Sequence, residues 1–524
     1  MGLGAALLLP GCGDGGSRRK SAAGGRAESG RKVLSYAIGN DLSNMDPALI
    51  TDIESALVAQ QVYEGLVKFK PDSVEVEPAI AEKWEMSEDG LKWTFHLRHN
   101  ATFHDGSPVD ADAVVFSVMR QTDSNHPFHV PGKMRYANFL YGDRTSTETQ
   151  LVTDVSATDA HTVTFTLARP YTPFLKNMAM TPASIVCPAA VRTYGKDFNT
   201  TMVGTGPFAL RNYRRDEAVT IDKNPKYWGT PAKLDEVRIR ILRDANVRMN
   251  SLRKGEIDVI SGIEPTAIPM LREDPAIAVI SEPSMNLGYI SLNNQRSPFD
   301  NPKVRLALCY AIDRQYIVNT LFAGSSVAAK TVIPPGMLGH SSELPGFPYD
   351  PGKAKALLAE AGFPNGFTVT FSSHDRPRIY YPVGIKLAER IQQDLSKVGV
   401  TTKIDQMEFS TFLSKTKAKD YQMANSGWVS DNGDPDNFIY ELAGREDNDS
   451  NYVNPEATKL MRDASMEKDE NKRAEMYKRA EQMLAANPPF IILNHAKQTL
   501  AIRKRVTNFK MHPTGVTQLA GIDI

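Results

Sequence analysis

Residues 428–438 read Trp-Val-Ser-Asp-Asn-Gly-Asp-Pro-Asp-Asn-Phe. The apolar Met423-Ala424 precedes them, so the pattern predicts a strand that runs into a rigid turn and then a helix with Asp436 as its N-cap. On composition alone, a solvated surface turn explains the Asp, Gly and Pro residues equally well. However, a Trp three residues before Asp431 sets a rigid apolar wall beside a negative charge. That combination suits a ligand with an ammonium group.

The same acidic segment also mimics part of a calcium-binding loop. Pro435 falls among the would-be ligands, and no glycine followed at a distance by a glutamate completes the pattern. A calcium site is therefore the less favoured interpretation.

Histidines and cysteines give no metal-binding pattern. His104, His374 and His495 are scattered, and each is more often a surface or satisfied core residue than a ligand. Cys187 and Cys309 lack CxxC or Cys/His spacing, so we expect two free, buried thiols rather than a disulfide. No metal and no cofactor is predicted.

Size and charge restrict the class of protein. The 524 residues, 41% of them hydrophobic, exceed what one core needs and predict two or three lobes. The 61 basic and 61 acidic residues cancel, which argues against nucleic-acid binding and favours a small neutral or zwitterionic ligand. No apolar run reaches the roughly 18 residues that span a bilayer.

The N-terminus has the pattern of an exported and anchored protein. Gly2 to Leu9 are small or apolar, Leu9-Pro10-Gly11-Cys12 follows, and residues 13–32 form a Gly/Ser/Arg/Lys-rich tether. The segment resembles a bacterial lipobox, which implies lipidation of Cys12. A plain signal peptide or a disordered tail stays open, and the missing charged segment before the apolar run leaves a true start further upstream open as well.

Strands and helices alternate along the rest of the chain. The residue pattern predicts a strand over 32–38, a helix over 53–66 and a hairpin turn at Asp89-Gly90. Leu387, Ile391 and Leu395 recur at helical spacing and predict a buried stripe on a helix over 386–397. The predicted class is mixed α/β.

A resemblance to a known family becomes specific over the block from Ala81 to Ser117, a hairpin followed by a helix start. This block closely resembles the signature of the peptide-binding (family 5) solute-binding proteins of ABC importers. Further segments similar to that family follow in the expected order, at residues 204–208, 224–229, 255–259, 285–289 and 304–313. Residues 428–438 resemble the corresponding run of the dipeptide-binding members.

The resemblance implies a binding site with two charged poles. Asp431 matches the family's carboxylate for the peptide α-ammonium, and Arg376 matches its guanidinium for the α-carboxylate. Where close relatives have a Tyr after Arg-Pro, this chain has Arg378, followed by an apparent insertion in which Tyr380 or Tyr381 is a substitute. Arg378 either accepts a longer or more acidic ligand or faces water. The remaining expected ligand contacts are Trp428, Gly427, Ser430, Gly288 and Tyr289.

The resemblance also implies an overall architecture: the two-lobed type II periplasmic-binding-protein fold of the large peptide binders, with an extra subdomain in the first lobe. After the signal segment 1–12 and the tether 13–32, lobe I is expected over 33–283 and 501–524, with the subdomain at about 70–200. Lobe II is expected over 284–500, and both charged poles lie on it.

The implied function is capture of di- or short oligopeptides outside the cytoplasm and delivery to a membrane permease, by a monomer anchored through Cys12. A non-peptide ligand such as an opine, a nickel chelate or haem is the alternative within transport. A peptidase or hydrolase is a different class, but no G-x-S-x-G, H-E-x-x-H or phosphate loop is found, and no catalytic residue is predicted. A peptide-binding chaperone would use the same cleft.

Overall fold

The computed structural model describes residues 30–146, 149–374 and 376–524. The strands of this part of the chain, numbered β1 to β18 in order, are Val33–Ile38, Val67–Phe69, Val76–Pro78, Ala81–Met86, Lys92–Leu97, Val152–Asp159, Thr162–Leu167, Phe208–Arg214, Ala218–Lys223, Glu236–Ile241, Val259–Ile260, Ile277–Pro283, Asn286–Leu292, Ser326–Ala328, Phe367–His374, Val400–Met407, Met423–Val429 and Phe490–Arg503.

The helices alternate with these strands, which confirms the predicted mixed α/β class. They are numbered α1 to α15 and span Ile53–Val62, Ala111–Thr122, Ala137–Tyr141, Phe174–Asn177, Pro188–Tyr194, Ala245–Lys254, Ile268–Glu273, Pro302–Ala311, Arg314–Tyr316, Pro351–Glu360, Gly384–Ser396, Phe409–Lys417, Asp436–Ile439, Pro455–Met466 and Glu470–Ala486. Short 3₁₀ or π turns occupy Pro47–Leu49, Thr181–Ala183, Gly195–Thr200, Pro265–Ala267, Ile317–Leu321 and Tyr440–Gly444.

One large sheet runs through the molecule in the order β16-β15-β17-β13-β18-β11-β1-β10-β9-β8, and β12 and β14 also pair with β18. The long strand β18 lies near the middle of this sheet and joins its two parts. Its residues Phe490 to Asn494 pair with β13, and Lys497 to Arg503 pair with β12. Strands β4-β5-β7-β6 form a separate antiparallel sheet, and β2 pairs with β3.

The buried apolar side chains form distinct cores on the two sides of β18. One large cluster joins residues between Leu34 and Val259 with residues between Ile502 and Ile522. Two further clusters draw only on residues between Leu287 and Leu493. The chain therefore packs its first half and its extreme C-terminus around one core and the intervening segment around others.

Local sequence signals place several elements as predicted. Gly90 adopts φ +74° in the hairpin turn between β4 and β5, a conformation that costs glycine little. Trp93, Phe95 and Leu97 alternate into the core along β5. The stripe of Leu387, Ile391 and Leu395 on α11 is fully buried, which confirms the helical spacing as a core pattern.

The predicted helix over 53–66 is wrong at its end, because α1 stops at Val62. The following backbone runs too close to its neighbours for helical side chains: a Cβ on Gly65 would lie 2.7 Å from the carbonyl oxygen of Met178. The backbone at Gly204 is similarly close to α1, since a Cβ there would lie 2.1 Å from the carbonyl oxygen of Val62. Close backbone contact, rather than apolar spacing, sets the end of α1.

Cys187 and Cys309 are both buried free thiols, which confirms the expectation for this pair. The signal segment, Cys12 and nearly all of the tether lie outside the described residues. Within the described ranges, no helix is both long and apolar enough to cross a bilayer.

Candidate functional site

The two predicted poles follow neighbouring strands that point the same way. β15 and β17 pair in parallel, with Phe371 opposite Met423 and Ser372 opposite Ala424. The loop that carries Arg376 and the turn that carries Asp431 therefore leave the sheet at the same edge. The C-terminal edge of parallel strands is a common place for binding groups.

Asn437 fixes Trp428 and Asp431 relative to each other. Its side-chain oxygen accepts a hydrogen bond from the indole N–H of Trp428 at 3.2 Å and another from the backbone N–H of Asp431 at 3.3 Å. Trp428 also packs against the apolar core around Leu287. The Trp is thus held beside the acid, as its spacing predicts.

Among the residues that the structure describes, Asp431 has no cationic partner. Burial raises its pKa to about 7, and the neighbouring Glu441 raises it further, while a hydrogen bond from the Tyr136 hydroxyl lowers it. No Lys, Arg or His in the described ranges forms an ion pair with it. A positive ligand group would offset the desolvation that disfavours the ionised form of this carboxyl.

Asp434, three residues along the same turn, is the opposite case. It receives two hydrogen bonds from Arg473, at 2.6 and 2.8 Å, and both side chains are buried. Although burial opposes the effect, the charge of this guanidinium holds the pKa of Asp434 below its usual range. The turn therefore contains one satisfied acid that supports its shape and another that is unsatisfied.

Asp436 is not the N-cap of the following helix, which corrects the prediction. It is the first residue of α13, and its N–H is bound instead by the Asp434 carboxylate at 3.0 Å. The Asp436 carboxylate accepts the Tyr171 hydroxyl at 2.9 Å. Burial, with the nearby Asp434 charge, raises its pKa to about 7. It is a second acid that lacks a full counter-charge.

Residues from the first half of the chain cover this turn. Lys176 donates to the carbonyl oxygen of Gly433 at 3.2 Å, and Asn432 donates to Asn177 at 2.7 Å. Together with Tyr136 and Tyr171, these contacts place helical segments of the first half directly over the acidic turn.

The loop after β15 carries both arginines. Arg378 and Tyr381 exchange backbone hydrogen bonds at 3.1 and 2.9 Å, which closes a tight turn. The buried Tyr381 hydroxyl donates to the carbonyl oxygen of Tyr289 and so anchors that turn to β13. The guanidinium carbons of Arg376 and Arg378 lie 5.5 and 5.2 Å from the centre of the Phe409 ring. Arg376 is exposed, and Arg378 is half-buried.

Two glycines allow the loop to lie on the sheet. Gly288 and Gly427 are opposite each other in β13 and β17. A Cβ on Gly427 would lie 2.3 Å from the Tyr380 ring, and one on Gly288 would lie 2.4 Å from Oδ1 of Asn494. Both positions are covered by protein in this structure and so allow the loop to pack on the sheet, and their expected contacts with a ligand stay predictions.

Ser430 and Tyr289 are likewise used inside the protein. The Ser430 N–H donates to the carbonyl oxygen of Met285 at 2.8 Å, and its hydroxyl accepts the N–H of Gly433. Tyr289 is buried against Phe490. These contacts support the turn from within the protein, and the expected contacts of both residues with a ligand stay predictions.

Sequence reasoning missed Tyr136, Asn437 and Phe409. Tyr136 and Phe409 lie far from their partners along the chain, and no local pattern marks them. Asn437 was within the quoted segment, where an Asn six residues after Asp431 was a signal for a side-chain contact across the turn.

Comparison with known families shows which family this chain belongs to. The profile described as bacterial extracellular solute-binding proteins, family 5 Middle, matches residues 75–450. The chain belongs to this family. Its members are solute-binding proteins, and the sheet described above has the type II periplasmic-binding-protein fold of their solved structures.

Three relatives within family 5 show how far the similarity extends. The dipeptide-binding protein of Escherichia coli is 35% identical, with 94% of this chain and 95% of that protein covered. Heme-binding protein A of Haemophilus influenzae is 34% identical, with 99% and 97% covered. An ABC transporter-associated periplasmic binding protein from Helicobacter pylori, in complex with the peptide STSA, is 31% identical and has a TM-score of 0.83. The match covers 94% of this chain and 98% of that one.

Proposed function

We propose that this family 5 protein captures short peptides with free termini and delivers them to a membrane permease of an ABC importer. Asp431 binds the ligand's α-ammonium, Trp428 forms the wall beside it, and Arg376 binds the α-carboxylate. The peptide-binding relatives from Escherichia coli and Helicobacter pylori support this choice of ligand.

The observation that carries the proposal is the contrast between Asp431 and Asp434. Both acids lie in one turn, yet among the described residues only Asp434 has an Arg partner. An enclosed carboxylate without a counter-charge is costly to keep ionised, and an ammonium group from a ligand supplies that charge. Trp428, hydrogen-bonded through Asn437, keeps water from one side of the pair.

Two lobes close around the ligand in this proposal, lobe I over 33–283 and 501–524 and lobe II over 284–500. The separate apolar cores on the two sides of β18 support this division. The contacts of Tyr136, Tyr171 and Lys176 with the acidic turn are those expected when the first lobe covers the second.

Anchoring through a lipidated Cys12 belongs to the same proposal. The protein then acts as a monomer at the outer face of the cell membrane, close to its permease. Metabolic labelling with a lipid precursor, compared between the natural chain and Cys12→Ser, tests this part separately.

Calorimetric titration tests the ligand assignment. The protein is titrated with Ala-Ala, N-acetyl-Ala-Ala and Ala-Ala-amide. We expect the free dipeptide to bind and each blocked form to lose affinity, because a blocked end leaves Asp431 or Arg376 without its charged partner. Asp431→Asn should weaken the free dipeptide by at least about tenfold, in line with the loss of a charged hydrogen bond.

Asp436→Asn is the matched variant, since it makes the same chemical change at the other acid whose pKa is raised. If affinity falls with Asp436→Asn and not with Asp431→Asn, the ammonium pole is Asp436 and our assignment is wrong. If no free peptide of two to four residues binds, the peptide proposal itself is wrong.

Haem is the second candidate ligand, because the haem-binding relative from Haemophilus influenzae matches 99% of this chain. Titration with hemin, followed by its visible absorbance, with and without saturating dipeptide, separates the two ligands. A spectral shift that the dipeptide does not prevent would indicate that haem binds at a site separate from the peptide site.

A further inference from the structure

Arg378 is held more firmly than Arg376. Its backbone N–H and carbonyl both pair with Tyr381, whose ring is fully buried. Its Nε donates to the Tyr380 hydroxyl at 3.4 Å, and its guanidinium lies 5.9 Å from the centre of that ring. Arg376, by contrast, is exposed and contacts only Phe409 among the described rings.

Neither guanidinium has a carboxylate partner within residues 30–146, 149–374 and 376–524. Both guanidinium carbons lie within 5.5 Å of the centre of the same Phe409 ring, so two positive groups share one aromatic neighbour at the edge of the sheet. Like charges placed together repel, and an anion between or beside them offsets that repulsion. One α-carboxylate satisfies one planar guanidinium through two parallel hydrogen bonds and leaves the second without a partner.

The rest of the molecule gives no general attraction for anions. The formal net charge of the chain is zero, so long-range steering of acidic ligands is weak. A preference for an acidic ligand must therefore come from local contacts, and substitution of a single arginine should remove it.

We propose that Arg378 binds a second carboxylate, so that the protein prefers ligands whose carboxyl-terminal end carries two acid groups. This inference rests on the proposed function for its ammonium pole and its first carboxylate. Two sources share that chemistry: a short peptide with Asp or Glu as its last residue, and an opine-type conjugate with two carboxylates.

The test compares Ala-Glu with Ala-Gln, which have nearly the same shape and differ in charge. We expect the natural protein to bind Ala-Glu at least about tenfold more tightly, the size of one charge-assisted hydrogen-bonded contact. Arg378→Gln should remove most of this preference, and Arg378→Lys should retain part of it. Arg376→Gln should weaken both peptides by similar factors and leave their ratio in place.

Other outcomes overturn the inference and separate it from the proposed function. Equal affinities for Ala-Glu and Ala-Gln, or a ratio that survives in Arg378→Gln, would refute the second carboxylate site while the peptide function stands. Mannopinic acid is the non-peptide probe: binding of it that Arg378→Gln abolishes, without binding of any dipeptide, would support the two-acid site and refute the peptide function. Binding of neither class would refute both.

Discussion

Asp431 should make the affinity for an ammonium ligand depend on pH. Its pKa is about 7 in the ligand-free structure, so below pH 7 the carboxyl is mostly neutral. The ammonium requires the ionised form, and binding must therefore release a proton. We expect the association constant to rise about tenfold per pH unit up to about pH 7. It should then fall above about pH 8, where the ligand's α-amino group loses its own proton.

The size of the effect follows from the shift itself. Raising the pKa from 3.8 to about 7 means that ionising Asp431 in this environment costs on the order of 4 kcal/mol more than in water. At pH 7.5 the Asp431 carboxyl is already mostly ionised in the free protein, and the ammonium directly offsets the energetic cost of that buried charge. At pH 5.5, about 1.5 units below the pKa, the ligand must first displace the proton from Asp431. This lowers the affinity roughly 30-fold.

Isothermal titration at pH 5.5, 6.5, 7.5 and 8.5, in two buffers with different ionisation enthalpies, measures both the affinity and the number of protons released. Asp431→Asn has no proton to release and should give weak, nearly flat affinity over this range. Constant affinity from pH 5.5 to 7.5 in the natural protein, without proton release, would refute the reasoning about Asp431.

Three further predictions concern the surroundings of the site. Gly427→Ala should lower peptide affinity by about tenfold or more, because its Cβ would lie 2.3 Å from the Tyr380 ring. Gly521→Ala is the control, since no atom lies within 4 Å of its Cβ. Equal peptide affinity in the two variants would contradict the prediction. Arg473→Gln should lower the free energy of unfolding in urea by about 3 to 5 kcal/mol, since it leaves the buried Asp434 unpaired; a loss under 1 kcal/mol would show that the pair is not needed. Because the pKa of Asp436 is raised from 3.8 to about 7, its contribution to stability is full below pH 3.8 and is lost as the pH rises through 7. Asp436→Asn should therefore flatten the decline in the free energy of unfolding between pH 5 and 8 by about 2 to 3 kcal/mol, and an unchanged slope would argue against it.

The elements that were predicted correctly are those with local causes. The α11 stripe and the Asp89-Gly90 hairpin follow from spacing and turn chemistry within a few residues. The end of α1 failed because it depends on the backbone near Met178, which is distant in sequence. Asp436 failed as an N-cap because the helix begins one residue earlier than predicted: Pro435 holds the N-cap position, and Asp434 binds the N–H of Asp436 itself.

The residues of the site also divide into those marked by a local pattern and those that depend on distant parts of the chain. Asp431 and Trp428 stood out from their own segment, and the resemblance pointed to Arg376. The covering hydroxyl of Tyr136 and the ring of Phe409 beneath both arginines come from other parts of the chain. No single-sequence pattern could pair them, because side-chain contacts over such separations depend on the complete fold.

Strand β18 gives the molecule a mechanical property. Its fourteen residues pair with β13 at one end and with β12 at the other, so the two sheet regions share one continuous backbone. Relative rotation of these regions must bend or twist that strand, because sliding would break its ladder hydrogen bonds. The resistance of β18 to bending and twisting therefore opposes any change in the angle between the two regions.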